Sequence, residues 1–225
     1  MKKQIQVQIQ EQETKDSLAE VAADAVKLKE KLSFNHSVRD LGLFLTLFAG
    51  ATAGRIALQY VPSVEPIIPF VILATVIFGL KEGFVLGSTS YIVSNFFIWG
   101  LQGPWTIFQA GAAGLAAFFG LPLRAKKNIS FKEYLLPVIL ATVLFEIIMN
   151  VYGSIFGLGL VTGILLLPVY FAFSMPFSIA HIAGNIFFCR ALTPLINKWR
   201  RKDEIEYYHF KSADNSGVSL LRFKR

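Results

Sequence analysis

Leu41-Gly42-Leu43-Phe44-Leu45-Thr46-Leu47-Phe48-Ala49-Gly50-Ala51-Thr52-Ala53-Gly54-Arg55-Ile56-Ala57-Leu58-Gln59-Tyr60 contains a single charged side chain, Arg55. A helix needs about 20 apolar residues to cross ~30 Å of hydrocarbon, so this stretch predicts a transmembrane span. Others follow it. Ile67 to Leu80, Phe84 to Trp99, Ile107 to Leu123 and Tyr134 to Tyr152 predict four more. Ile164 to Ile196 is too long for one simple crossing, and Pro168 and Pro176 predict that its first part is a loop helix or a kinked entry. The expected fold class is an all-α integral membrane protein of about six transmembrane helices.

Composition agrees. Only 16% of the 225 residues are charged, where a soluble domain has about a quarter. Most of those charges lie before Ser37 or after Asn197. The expected organisation is therefore a polar N-terminal tail over 1–36, a six-helix membrane domain over 37–199 and a polar tail over 200–225. The apolar run begins near Leu41, after some forty polar residues, so no cleavable signal peptide is expected.

The basic residues set the orientation. Lys81 lies in the second connection, and Arg124, Lys126, Lys127 and Lys132 in the fourth. Both tails are rich in Lys and Arg, while the first, third and fifth connections carry neither. Positive charge stays cytoplasmic. Both termini and every second connection are thus expected inside, and the net charge of +7 is a topology signal before it is a hint of nucleic acid. Trp99 and Trp105 at the outer edge and Trp199 at the inner edge fit aromatic belts.

Smaller features are read as packing. Val61-Pro62-Ser63-Val64-Glu65-Pro66 ends the first span and is expected to dip into the protein. Lys81-Glu82-Gly83 predicts a tight turn, and Gly153 to Gly163 a glycine-rich connector. Ser17-Leu18-Ala19-Glu20 is a capping box opening an amphipathic helix to Leu32. Gln4 to Gln10 and Ile205 to Phe210 alternate with period two, as in a small sheet, although disorder is the favoured reading.

Several chemistries are excluded. No Gly-x-x-x-x-Gly-Lys-Ser/Thr run occurs, so the chain is not its own ATPase by that route. His36, His181 and His209 form no His-Glu-x-x-His. The lone Cys189 offers no metal cluster and packs as a small hydrophobe. Neither a metal nor a cofactor is implied. Gly87-Ser88-Thr89-Ser90 lacks the glycine that follows a serine nucleophile, and it is read as helix packing.

Polar residues inside the spans carry the functional expectation, since ionisable groups in a bilayer are costly. Counted inward at 1.5 Å per residue, Arg55, Asn95, Glu146 and His181 all sit roughly 18–22 Å from the cytoplasmic edge. Gln59 and Asn150 lie one turn above Arg55 and Glu146, and Asn185 one turn below His181. Two readings compete for this layer. In one, Arg55 and Glu146 form a buried ion pair while His181 and Asn185 tie helices together. In the other, the layer floors a pocket for a small polar solute, with Trp105 and Tyr170 as lid.

Ala49, Ala53 and Ala57 recur at four-residue intervals beside Gly50 and Gly54, a flat ribbon on which a second helix can pack. Ala112-Ala116 and Gly79-Gly83-Gly87 are read as contacts within the bundle.

With these residues in place the chain resembles the substrate-binding S components of energy-coupling factor (ECF) vitamin transporters. Ala49-x-x-x-Ala53-x-x-x-Ala57 is similar to the first-helix pattern by which that family docks a transmembrane coupling subunit. The closest likeness is to the subgroup associated with cobalamin or its lower-ligand precursor. It rests on Pro62-Ser63-Val64-Glu65-Pro66, on Val93-Ser94-Asn95-Phe96-Phe97 with Gln102-Gly103-Pro104-Trp105-Thr106 and Gln109, and on Pro176-Phe177-Ser178 with His181-Ile182-Ala183-Gly184-Asn185. It covers about residues 43–197, not the tails.

The resemblance implies capture of a vitamin or vitamin precursor at the outer face of the cell membrane. Inward release would occur against a coupling subunit driven by two cytoplasmic ATPases, with no enzymatic activity in this chain. Asn95, Gln102, Trp105 and Gln109 would then shape the pocket, and Glu146, Asn150 and His181 would supply hydrogen bonds, with a protonatable ligand nitrogen against Glu146. A solitary small-solute permease is the alternative. An intramembrane enzyme using His181 with Ser88 or Glu146 is a third reading.

Overall fold

The computed structural model describes residues 38–98, 100 and 102–214, with side chains placed up to Trp199. The expected amphipathic helix at 17–32, the alternating segment at 4–10 and Trp99 lie outside the described residues. The chain divides into two units. Phe44–Tyr207 is the helical body; the other, Met1–Leu43 with Tyr208–Arg225, contributes to the described residues only the start of the first helix and the end of the last.

Every regular element among the described residues is helical. In order these are α1 (Val38–Ala57), α2 (Ile67–Ile77), α3 (Leu80–Ile98), α4 (Pro104–Leu115) continued by a 3-10 segment (Ala116–Leu123), α5 (Phe131–Leu158) and α6 (Leu160–Asp214). Four runs are long and apolar enough to cross a membrane: α1, Pro104–Leu123, α5 and Leu160–Trp199 of α6. Large apolar side chains such as Ile107, Leu165, Phe173 and Phe187 face outward. In water that would be a liability; against lipid it is the ordinary surface. The body is that of an α-helical membrane protein.

The core is built around α2. Its eleven residues make about 16 Å of helix, half the hydrocarbon thickness. All but Phe70 are buried, because α3, α5 and the 3-10 segment surround it. Being apolar on every side, it behaves as a core helix rather than a lipid-facing one. Tyr134 of α5, fully buried, donates its hydroxyl to the Pro69 carbonyl oxygen at 2.5 Å and ties α5 to α2. α3 approaches both neighbours through missing side chains. A Cβ at Gly83 would strike Thr75 of α2, and one at Gly87 would lie 2.7 Å from the Ala113 carbonyl oxygen of α4. Ala112 and Ala116 are buried in the same region.

Several expected boundaries are corrected. Lys81-Glu82-Gly83 is the first turn of α3, and the reversal from α2 falls at Phe78–Gly79, where Gly79 supplies φ 139°. The fourth span stops being α-helical at Leu115 and tightens into the 3-10 segment, with Gly120 against Thr75.

The Gly153–Gly163 connector does not exist as a loop. α5 runs to Leu158, α6 starts at Leu160, and Gly159 alone turns the chain at φ 82°. The other glycines serve helix contact: Tyr170 packs over Gly153, and Gly163 lies against the backbone of Ser154 and Ile155. Pro168 and Pro176 make no separate loop helix; both lie within α6, as membrane helices tolerate proline where neighbours re-satisfy the backbone. The alternating 205–210 segment is also part of α6, since extending an existing helix gains a hydrogen bond for each residue fixed.

Candidate functional site

The first connection is what turns inward. After α1 the chain passes through Ser63, a non-glycine residue at φ 59°, which carries roughly 1 kcal/mol of backbone strain or more. Val64 then packs on Gly184 of α6, where a Cβ would come within 3.0 Å of Val64 Cγ1. This carries Glu65 into the bundle. Its side chain is only 12% exposed.

Arg55 meets it there. The guanidinium Nε donates to Glu65 Oε2 at 2.6 Å, and Nη1 donates to Ser94 Oγ and Asn95 Oδ1, each at 2.7 Å. The group also lies 4.6 Å from the centre of the Tyr91 ring, and the Tyr91 hydroxyl donates to Glu65 Oε1. Asn95 passes the network on to α4, donating through Nδ2 to Thr106 Oγ1 at 3.0 Å and Gln109 Oε1 at 2.7 Å.

A second half lies between α5 and α6. His181 Nδ1 is 2.7 Å from Glu146 Oε1, and Ser178 Oγ donates to Glu146 Oε2 at 2.9 Å. A carboxylate only accepts, so the Nδ1 proton belongs to His181. The Phe145 ring packs edge-on against the imidazole and stacks on Tyr91, filling the space between the halves. Among the described residues Glu65 links them electrostatically, its Oε1 lying 3.8 Å from His181 Nε2.

The expected Arg55–Glu146 pair is therefore corrected. Arg55 takes Glu65 and Glu146 takes His181. Depth counting along straight spans put Arg55 and Glu146 at one level but could not weigh a carboxylate delivered by a connection. The signal that would have found it was Glu65 itself, the lone acid in a connection without cations, bracketed by Pro62 and Pro66.

These groups line a cavity of two adjoining lobes. One, of 210 Å³, is walled by α1, the first connection, and Ile98, Gln102, Trp105 and Gln109. The other, of 310 Å³, is walled by Phe145, Glu146, Met149 and Asn150 of α5 and Tyr170, Ser174, Phe177 and His181 of α6. Arg55, Ser63, Glu65, Trp105 and Gln109 border both. Of the residues expected in a pocket, Gln102, Trp105, Gln109, Glu146, Asn150 and His181 line it, as do Gln59 and Tyr170. Asn95 is 1% exposed and stands behind the wall, holding Arg55 and Gln109. Asn185 is buried below, donating to Thr142 Oγ1 at 2.7 Å, and joins α6 to α5. Residues that sequence reasoning missed as lining include Ser63, Glu65, Phe145, Met149, Ser174 and Phe177.

The other features separate from the cavity. Ser88 donates to the Ala110 carbonyl oxygen at 3.0 Å and serves α3–α4 packing. Ala49, Ala53 and Ala57 are all exposed on α1, while Ala51 and Thr52 on its opposite side are buried.

No family model, curated protein or solved structure matches the chain. The class rests on fold and site alone: an α-helical membrane protein with a charged, aromatic-walled cavity among its helices.

Proposed function

We propose that this protein is the ligand-capturing S component of an ECF-type vitamin importer, with six membrane-embedded helices and both termini in the cytoplasm. In this reading the cavity takes a vitamin or vitamin precursor from the outer face, of the cobalamin-related class suggested by the Gln102-Gly103-Pro104-Trp105-Thr106 segment. A coupling subunit and two cytoplasmic ATPases then drive inward release. The chain itself catalyses nothing.

One observation carries the reading. The cavity is bordered by residues of the first and third connections, Val61, Ser63 and Gln102. These are connections without Lys or Arg, as an outward-opening capture site requires. The exposed alanine ribbon on α1 supports the same reading, since small side chains allow a partner helix to approach closely.

The test separates capture from coupling. Ala53→Leu fills the ribbon at an exposed residue that does not line the cavity. It is expected to abolish cellular uptake and co-purification with a coupling subunit, while ligands retained on the purified protein and identified by mass spectrometry stay bound. Unimpaired uptake would replace this reading with the solitary permease.

A further inference from the structure

The His181 imidazole is 1% exposed, yet its two nitrogens are treated differently. Nδ1 is committed to Glu146. Nε2 is buried without a hydrogen-bond partner and points across 3.8 Å toward Glu65 Oε1, a gap too long for a direct bond. When His181 is neutral, Nε2 carries a lone pair facing a carboxylate oxygen, and two acceptors oppose each other. Something bearing a proton must settle that position.

Charge states the same requirement. The ionisable groups around this point are Arg55 from α1, Glu65 from the first connection, Tyr91 from α3 and Glu146 from α5, with Tyr170 about three turns along α6 in the wall of the same lobe. With His181 neutral, one cation faces two carboxylates, a net charge of −1 in a low-dielectric setting. With His181 protonated the cluster is neutral. Arg55 leaves little for an anion, since its guanidinium is engaged by Glu65, Ser94 and Asn95 and lies over Tyr91.

We propose that the cavity binds a monovalent organic cation, with its N–H donors bridging His181 Nε2 and Glu65 Oε1, in exchange for one proton from His181. The proton leaves Nε2 for bulk solvent, the freed lone pair accepts from the ligand nitrogen, and the positive charge of the ligand replaces that of the imidazolium. Aromatic walls from Trp105, Phe145 and Phe177 suit an organic cation, whose charge is attracted to the ring faces. The inference deepens the importer reading, on which it rests, by giving the capture site its ligand chemistry and a pH dependence.

Benzamidinium, benzamide and benzoate are near-isosteric and differ in charge, and the first keeps its charge across the relevant pH range. Calorimetry on the full chain in nanodiscs, between about pH 5 and 8, is expected to show benzamidinium binding at least about tenfold tighter than the other two. Titrations in buffers of different ionisation enthalpy should report up to about one proton released per cation bound, with affinity rising toward higher pH.

His181→Gln should bind benzamidinium without proton release. Glu65→Gln should bring benzamidinium and benzamide to similar affinities. Preference for benzoate, equal binding of all three by the unmodified chain, cation binding without proton release, or no benzamidinium binding at about 10 mM would each overturn the proposal. All four of those outcomes are read on the unmodified chain, so a variant that misfolds does not obscure them. Failure here with uptake still sensitive to Ala53→Leu removes the cation exchange and leaves the importer; the reverse pattern removes the importer and leaves the cavity's chemistry.

Discussion

Arg55 and Glu65 bury opposite charges at 2.6 Å, each side chain 12% exposed. Removing one partner of such a pair leaves the other uncompensated and costs about 3–5 kcal/mol, whereas replacing both is often nearly neutral. Arg55→Met is therefore expected to lower the thermal unfolding midpoint in detergent markedly. Arg55→Met combined with Glu65→Gln should recover most of the loss. A double variant as unstable as the sum of the singles would mean that the two side chains act separately. The polar layer containing Arg55 was legible in the sequence because charged residues inside apolar runs are conspicuous. Its pairing was not. Glu65 sits between prolines in a connection, and only the inward turn at Ser63 and the seat of Val64 on Gly184 bring it to Arg55. Asn95 shows the same limit in reverse. Its depth matched the cavity, but its hydrogen bonds make it the strut behind Arg55 and Gln109.

Among the elements, α3 and α4 illustrate how small residues set distance. At Gly87 an added Cβ would lie 2.7 Å from the Ala113 carbonyl oxygen and 2.8 Å from Val71 Cγ2, both on neighbouring helices. Backbone cannot yield as a flexible side-chain end can, so Gly87→Val should destabilise by about 1–3 kcal/mol. Gly111 on α4 has nothing within 4 Å of its added Cβ, and Gly111→Val should stay within roughly 0.5 kcal/mol. Thermal unfolding followed by circular dichroism compares the two, and equal losses would mean that Gly87 is not a contact point. The four-residue spacing of Gly79, Gly83 and Gly87 announced a packing face, though not that Gly83 serves α2 while Gly87 serves both α2 and α4. Boundaries read from proline and glycine fared worse in the last third of the chain. Glycines expected to form a loop instead let α5 and α6 lie against each other. Pro168, Pro176 and Pro194 lie inside one helix. The forty residues of α6 from Leu160 to Trp199 make about 60 Å of helix, twice the ~30 Å hydrocarbon thickness. Hydropathy alone could not say how such a run divides.

At the scale of the whole molecule, the two ends of the helical body differ in charge and in architecture together. One end holds the α2–α3 and 3-10–α5 connections, with Lys81, Arg124, Lys126, Lys127 and Lys132 nearby. The other holds the cation-free connections and the cavity walls at Ser63, Gln102 and Trp105. Charge asymmetry and cavity position are independent facts, one belonging to insertion and the other to packing. Their agreement makes orientation the property most worth measuring. Cys189 is the one cysteine of the chain, so a Cys189→Ala background leaves single introduced cysteines to report. Gln102→Cys, at an exposed position bordering the cavity, is expected to react with a membrane-impermeant maleimide in intact cells. Lys127→Cys, exposed at the opposite end, is expected to react only after permeabilisation. The reverse pattern would turn the cavity toward the cytoplasm. Capture from outside would then be impossible in this conformation, and the same charged cluster would have to act as a release site.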